Sequence, residues 1–525
     1  MKKNLKRVAV GLLSIALLLS GCGQKNEQNA TENGSDKSLT YWCAMPSGIV
    51  SVYRTMGEVS MYRELEKRTG VHIDFIHPPT GQEGEKFNLM IASKDLPDMV
   101  EYSWISYVGG PEKAINDNVI IKLNDYLEKS APNFTRAIRE NKEYEKQTKT
   151  DSGSIYGFPA LNMGKYRIFG GIVIRQDWLD ELNLSMPQTI DEWETVLRAF
   201  KEQKGADAPF TGDATLFSIG GYNNTFNNAF NVGKGFYVEN GVVKFGPAEP
   251  AYKDWIMLMN RWYEEGLLDR NYETNNSAAL DSKITNGDAG AMFTYIGSGM
   301  GRYLQMQKEK NPSYNLTAAP YPVAVKGEQP ILTPLAHEAS YPFLAITTAC
   351  KTPQLAVEWA DYLYSDEGMM LCNYGVEGES YNMVDGKPVY TEQILKNPEG
   401  LSIAEMLQRY CRATNSAPGF NEAEDYIRQY YPFQQQKDAL ELWTQATENV
   451  KAHTLPPVTF TIEESDRIAS INAEILTYVS ENVLKFVQGT RNINEFEDFI
   501  DELKSIKLDE YIQIYQNAYD RYLKR

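Results

Sequence analysis

Strand and helix signals alternate along the first part of the chain, and that order leaves few folds open. Leu39-Thr40-Tyr41-Trp42-Cys43 is a short β-favouring run that ends in Met45-Pro46-Ser47-Gly48. Tyr62 to Arg68 is helical in composition, Thr69-Gly70 stops it, and Val71 to Ile76 alternates apolar and polar before Pro78-Pro79. A second helix, Glu83 to Ser93, leads through Asp95-Leu96-Pro97-Asp98 into a strand at Met99-Val100-Glu101-Tyr102. Parallel strands cannot be joined by a tight turn and need a helical crossover, so this order predicts a parallel sheet and an α/β fold.

Further along, Gly170-Gly171-Ile172-Val173-Ile174-Arg175 reads as a strand, and Asp177 to Leu182 and Thr189 to Gln203 read as helices. Thr189 with Glu192 three residues later fits a capping box. Asn240-Gly241 between two alternating runs, and Asp385-Gly386 between Met383-Val384 and Pro388-Val389-Tyr390, predict two hairpins. Near the C-terminal end, Ile468, Ile471, Ile475, Val479, Val483 and Phe486, then Phe496, Phe499, Ile500 and Leu503, then Tyr511, Ile514 and Tyr515 recur at helical spacing and predict packing helices.

The first residues decide where the body folds. Lys2, Lys3, Lys6 and Arg7 precede the uncharged run Val8 to Leu19, which is short for a membrane span and reads as an export signal. Leu19-Ser20-Gly21-Cys22 follows and resembles the bacterial lipobox, so residues 1–21 are expected to be cleaved and Cys22 to carry a diacylglycerol. Gly23 to Lys37 offers nothing that packs and reads as a tether of roughly 20 Å r.m.s. reach. A lipid of this kind anchors a chain without spanning the bilayer.

Charge then excludes one large class of partner. The chain carries 52 Lys and Arg against 70 Asp and Glu, a formal net charge of −18, and cleavage of the signal removes four more positive charges and no acid. A body this acidic has no broad basic surface for phosphate backbones, so nucleic acid is not an expected partner. Besides Cys22 there are Cys43, Cys350, Cys372 and Cys411. Export permits disulfides, but no C-x-x-C spacing occurs, and the surroundings favour buried free thiols over a metal knuckle.

The order of the strand at Leu39 to Cys43, then Glu64-Leu65-Glu66-Lys67-Arg68-Thr69-Gly70-Val71-His72-Ile73, then Glu85-Lys86-Phe87 to Ala92-Ser93-Lys94-Asp95-Leu96-Pro97-Asp98-Met99-Val100, resembles family 1 extracellular solute-binding proteins. These are the lipoproteins that feed carbohydrate ABC importers; maltose-binding protein is their familiar soluble relative. Ile155-Tyr156-Gly157-Phe158-Pro159 is similar to the family's first interlobe crossing, Glu264 to Asp269 to its helix end, and Asn286 to Phe293 to the strand lining the cleft. Asp366-Glu367-Gly368 and Asn373 to Gly378 are similar to its long oligosaccharide-binding branch.

The resemblance implies a two-lobed periplasmic-binding-protein-like fold of type II, with the ligand cleft between α/β lobes and helices at the C-terminal end. Lobe 1 is expected at 38–160 plus 335–375 and lobe 2 at 161–334 plus 376–525, with crossings near Pro159, Pro334 and Tyr374. The implied function is capture of a carbohydrate, an oligosaccharide by preference, by a lipid-anchored monomer at the extracytoplasmic face of the membrane, with delivery to ABC permease subunits and no covalent chemistry. Some larger relatives carry a calcium loop after the helix matching Thr189 to Gln203. Here that place reads Lys204-Gly205-Ala206-Asp207-Ala208-Pro209, too poor in carboxylates for calcium, so no metal and no cofactor are expected.

Sugars need aromatic platforms beside bidentate polar groups. Ligands of open α/β sheets lie beyond the carboxyl ends of strands, where Trp42, Tyr102 and Trp104 fall. Trp42 reads equally as core, and at least one of Tyr102 and Trp104 is expected to stack on ligand. Tyr295 occupies the position of a sugar-stacking aromatic in the relatives, with Gly297 and Gly299 allowing close approach. His337-Glu338 either hydrogen-bonds hydroxyls or is a surface pair. Arg175 either grips ligand or pairs with Asp177, and Glu377 serves the hinge or the ligand.

Two other readings stay open: a carbohydrate-active glycosidase or lyase, whose two distant carboxylates leave no sequence signature, and a binding protein for a peptide or other polar solute. His72-Ile73-Asp74-Phe75-Ile76-His77 is not a helical zinc motif, and Gly297-Ser298-Gly299 is too short for a nucleophile elbow.

Overall fold

A computed structural model describes residues 37–46, 48–219, 226–412, 418–421 and 424–525. The expected export signal at 1–21 and the expected tether up to Asp36, with Cys22 as its expected lipid site, lie outside the described residues. The strands are β1 (Ser38–Trp42), β2 (His72–Ile76), β3 (Met99–Tyr102), β4 (Phe158–Asn162), β5 (Gly170–Arg175), β6 (Phe210–Thr211), β7 (Phe236–Glu239), β8 (Val242–Phe245), β9 (Ala291–Tyr295), β10 (Leu316–Ala318), β11 (Ala339–Ile346), β12 (Tyr381–Val384), β13 (Lys387–Tyr390) and β14 (Gly419–Asn421).

Two sheets organise the body. The first runs β14-β4-β11-β3-β1-β2, the second β10-β5-β9-β6. In the first, β1 lies parallel to β2 and β3 as the crossovers require, while β11 runs antiparallel to both β3 and β4. The helices Ser60–Thr69 and Glu83–Ser93 are those crossovers. β5 is buried along its whole length, with Ile172 and Ile174 in one apolar cluster and Val173 in the other, the signature of a strand covered on both faces.

The hairpins fold as read. β7 and β8 pair around Asn240 and Gly241, both at positive φ (52° and 80°), and β12 and β13 around Asp385 and Gly386 (50° and 76°), the geometry that a two-residue loop of this type demands. Thr189 and Glu192 cap each other reciprocally at the start of the helix Ile190–Lys204. The helices Ile462–Val487, Phe496–Ser505 and Leu508–Tyr522 bury the apolar stripe read from the sequence against the second sheet's outer core. Among the described residues, no helix is long and apolar enough to cross a membrane.

The α/β, two-lobed fold class therefore holds, but the chain after residue 375 is divided differently from the expectation. β14 lies beside β4 in the first sheet, and Arg412 pairs with Glu101 of β3. Tyr374 is buried at the end of the helix Asp366–Tyr374, against Tyr381, Tyr390 and Tyr426, so it is packing rather than a crossing. The chain reaches the second sheet for the last time beyond Asn421, with the helix Gln434–Thr444. That helix packs on β10 and lays Trp443 on Gly171 so closely that a Cβ there would sit 2.4 Å from the indole.

Cys43, Cys350, Cys372 and Cys411 are all buried thiols.

Candidate ligand cleft

Strand direction fixes where the two lobes meet. β1, β2 and β3 end together at Trp42, Ile76 and Tyr102. Antiparallel β11 begins on that edge, and β4 and β14 end there at Asn162 and Asn421. Asn162 knots the edge: its Nδ2 donates to the His337 carbonyl (2.6 Å) and to Ser340 Oγ (2.5 Å), while Asn421 Nδ2 donates to Asn162 Oδ1 (3.3 Å). From this edge the chain runs into Gly170, the first residue of β5, which faces Tyr295, the last of β9. β6 is parallel to β9 and leads through Gly212 to Asp213 and Thr215 on the same edge. Trp42, Tyr102, Tyr295, Asp213 and Thr215 thus belong to the facing edges of two sheets joined there by the chain.

On the first edge, Tyr102 is half-buried and lies flat on Phe87, ring centroids 3.7 Å apart and 14° from parallel, with Trp42 edge-on at 6.1 Å. Burial, with some help from Glu83, raises the Tyr102 phenol above its ordinary pKa, so it is a neutral hydroxyl. Trp42 is nearly covered and backs this stack. Trp104 departs from expectation: it has no exposed surface, stands perpendicular to Phe87 at 5.4 Å and donates its indole N–H to the Val100 carbonyl (3.4 Å). It is core beneath the platform, because the turn Trp104–Ser106 folds the side chain back under the sheet end.

On the second edge lies a pocket of about 400 Å³ whose polar lining includes Asp213, Thr215, Tyr295, Ser298 and Arg302. Tyr295 is 42% exposed there, the one large side chain of β9 that the fold leaves uncovered. Arg302 donates through Nη2 to Asp281 Oδ1 (2.6 Å). Burial raises the Asp281 pKa and Glu405 adds to that, while Arg302 opposes both. Asp213 accepts from the Thr215 N–H (2.9 Å) and from its hydroxyl, which fixes the turn. Lys234 props the same turn from below, donating to the carbonyls of Thr215 (3.0 Å) and Leu216 (3.2 Å), and burial pulls its pKa down to about 7. The close approaches expected at Gly297 and Gly299 are made by the protein's own Tyr430 and Thr294.

The other expected site residues line no part of this pocket, although His337 and Glu338 adjoin the junction edge at Asn162. Arg175 is the last residue of β5, about 17 Å along the strand from Gly170, because β5 runs away from the junction. Its guanidinium is bound bidentately by Asp177 (2.8 and 2.5 Å) and sandwiched between Trp178 and Tyr314 at 4.5 and 4.4 Å. His337 contributes its carbonyl to Asn162, and burial lowers its imidazole pKa. Glu338 is taken by Gln147 (2.7 Å) and Lys451 (2.8 Å). Glu377 is exposed on the turn before β12, bridged to Tyr381, and lines no part of the pocket. Asp213, Thr215, Ser298 and Arg302 were not foreseen. For Asp213 and Thr215 the only signal was a polar run directly after a short strand, and Ser298 and Arg302 lie in the Gly-rich run just past Tyr295.

The turn at 204–209 borders a cavity of about 560 Å³ lined by three acids, Asp207, Asp269 and Asp288, and three cations, Lys201, Arg270 and Lys283. Burial alone would raise Asp269, yet Lys283, Thr211 and Asn275 donate to its carboxylate and hold it below the usual range. The lysine ammonium already supplies the charge a cation would bring. Among the described residues no cluster of three or more His, Cys, Asp or Glu is placed to hold a metal. Millimolar calcium or EDTA is accordingly expected to leave the melting temperature unchanged. Calcium at a hundredfold over its Kd would instead add about 2.7 kcal/mol, a plain upward shift.

The comparisons extend over nearly all of the chain. The profile of the family described as bacterial extracellular solute-binding protein matches residues 59–370. The fructooligosaccharide ABC transporter substrate-binding protein FusA of Streptococcus pneumoniae is 26% identical over 99% of this chain and 98% of its own length. Lipoprotein LipO of Bacillus subtilis is 24% identical over 95% and 96%. Among solved structures, the crystal structure of alginate-binding protein AlgQ2 without calcium ion superposes with a TM-score of 0.76 at 26% identity, covering 93% of this chain and 99% of that one.

Proposed function

The chain belongs to the bacterial extracellular solute-binding proteins, and from that membership we propose that it captures an oligosaccharide between its lobes and delivers it to an ABC importer. It does so as a monomer held at the outer face of the cell membrane by a lipid on Cys22, without chemical change to the ligand. The names of FusA and AlgQ2 support a carbohydrate, and that of LipO supports the anchor. The observation that carries the reading is Tyr295: an exposed ring at the end of its strand, beside Asp213, Thr215, Ser298 and Arg302, with a second aromatic stack, Tyr102 on Phe87, at the strand ends of the other sheet. Sugar rings need just such a flat apolar platform with hydrogen-bonding groups at its rim. Closure of the lobes on the ligand is the state a permease would recognise.

Tyr295→Ala is expected to weaken binding by about 0.5–1.5 kcal/mol, a few-fold to roughly tenfold in Kd, with the melting temperature unchanged. Calorimetric titration of the wild type and the variant with oligosaccharides tests this. Heat from peptides and none from any glycan would reject the sugar, and new product on prolonged incubation would reject pure binding.

A further inference from the structure

We infer that the ligand is a neutral oligosaccharide and that the cleft discriminates against uronic acids. The inference rests on the carbohydrate reading above and follows from how charge is spent around the pocket. A sugar carboxylate buried between two lobes needs an uncommitted cation, by preference an arginine whose fork can take both oxygens. Among the described residues Arg302 is the one cation lining the pocket; its Nε has no partner, but that atom is buried, and the guanidinium charge is already met by Asp281, 2.6 Å from Nη2. Asp213 remains: it accepts from Thr215 within its own turn, and Lys234 behind that turn is buried and spends its ammonium on the Thr215 and Leu216 carbonyls, so a carboxylate and no free cation meets an anionic sugar at this wall of the pocket.

Neighbouring arginines offer no substitute. Arg167, on the first crossing, donates to the carbonyls of Asn162 (2.8 Å), Met163 (3.2 Å) and Tyr166 (3.1 Å). Arg412 is buried against Glu101, and Arg175 is bound to Asp177 at the far end of β5. Lys451 is held by Glu338. The parts of the body outside the described residues, Ser47, 220–225, 413–417 and 422–423, contain no Lys or Arg and one acid, Glu422. A neutral sugar meets none of these penalties: its hydroxyls accept from Arg302 and Ser298 and donate to Asp213, so a paired ion and a lone carboxylate become hydrogen-bonding groups.

The test is a thermal-shift and calorimetric comparison on the mature chain. The probes are neutral glucose-, galactose- and fructose-based tri- and tetrasaccharides against oligogalacturonates and oligomannuronates of equal length. At least one neutral sugar is expected to raise the melting temperature, and every uronate to bind at least tenfold more weakly than the best neutral one. A uronate that binds as well as or better than the best neutral sugar overturns the charge argument while leaving the carbohydrate reading intact. Stabilisation by peptides and by no glycan of either kind sinks the carbohydrate reading and this inference with it. Asp281→Asn, which frees Arg302, is expected to raise uronate affinity at least tenfold with little change for the neutral ligand. Asp213→Asn provides a second variant, expected to move uronate affinity in the same direction. Uronate affinity unmoved in both folded variants overturns the assignment.

Discussion

Replacing Arg412 by alanine is expected to destabilise the protein by about 3–5 kcal/mol, a large part of the 5–15 kcal/mol typical of a folded chain. The Arg412 and Glu101 side chains are 6% and 7% exposed, with Nη2 2.7 Å from Oε1, and the Tyr41 hydroxyl donates to the other carboxylate oxygen. Burial alone would lower the guanidinium pKa, but Glu101 holds it well above the ordinary value, so Arg412 stays a cation. Truncating Arg412 leaves a carboxylate in apolar surroundings with one phenol to satisfy it. Denaturant unfolding monitored by fluorescence measures the loss. The double change Arg412→Met with Glu101→Met is expected to recover most of it, since the penalty lies in the uncompensated charge. Glu101 directly precedes Tyr102, so the pair also holds the end of β3 that carries the first aromatic platform.

Trp104→Ala is expected to cost about 3–5 kcal/mol as well, through the cavity left by a large side chain with no exposed surface. The same denaturant titration checks it, and Tyr295→Ala, whose ring is 42% exposed, supplies the contrast of an unchanged midpoint. The sequence reading made both aromatics candidates for stacking on ligand, Trp104 from its place past a strand end and Tyr295 from its position in the family resemblance. What separates them is the path of the backbone after the strand. Trp104 opens a 3₁₀ turn that tucks the indole under Phe87, whereas Tyr295 is the last strand residue before the wide turn Ile296–Gly301.

Local signals carried most of the architecture. The crossover helices, both Asn-Gly or Asp-Gly hairpins, the Thr189 capping box and the three helices near the C-terminal end depend on spacing within a few residues, and all fold as read. Of the two readings open for Arg175, pairing with Asp177 is the one the structure shows; the sequence could not choose between them because the direction of β5 relative to the junction is set by β9, more than a hundred residues away. β14 was missed because three residues have no periodicity; it is a strand only because β4 offers it hydrogen bonds. The lining residues Asp213 and Arg302 come from separate segments that meet only once β6 and β9 pair.

The state of the cysteines has a practical consequence for watching the lobes move. Burial pushes the Cys350 thiol up to about 11, Cys372 to about 12 and Cys43 higher still, so little thiolate exists at neutral pH and maleimide dyes should pass them by. A cysteine introduced at exposed Leu89, on the helix beside the first platform, and another at exposed Met257, on a helix of the second lobe, can therefore carry a donor and acceptor dye without removal of these native thiols. Energy transfer between them would report lobe closure, ligand by ligand, in a chain whose core is left as it folded.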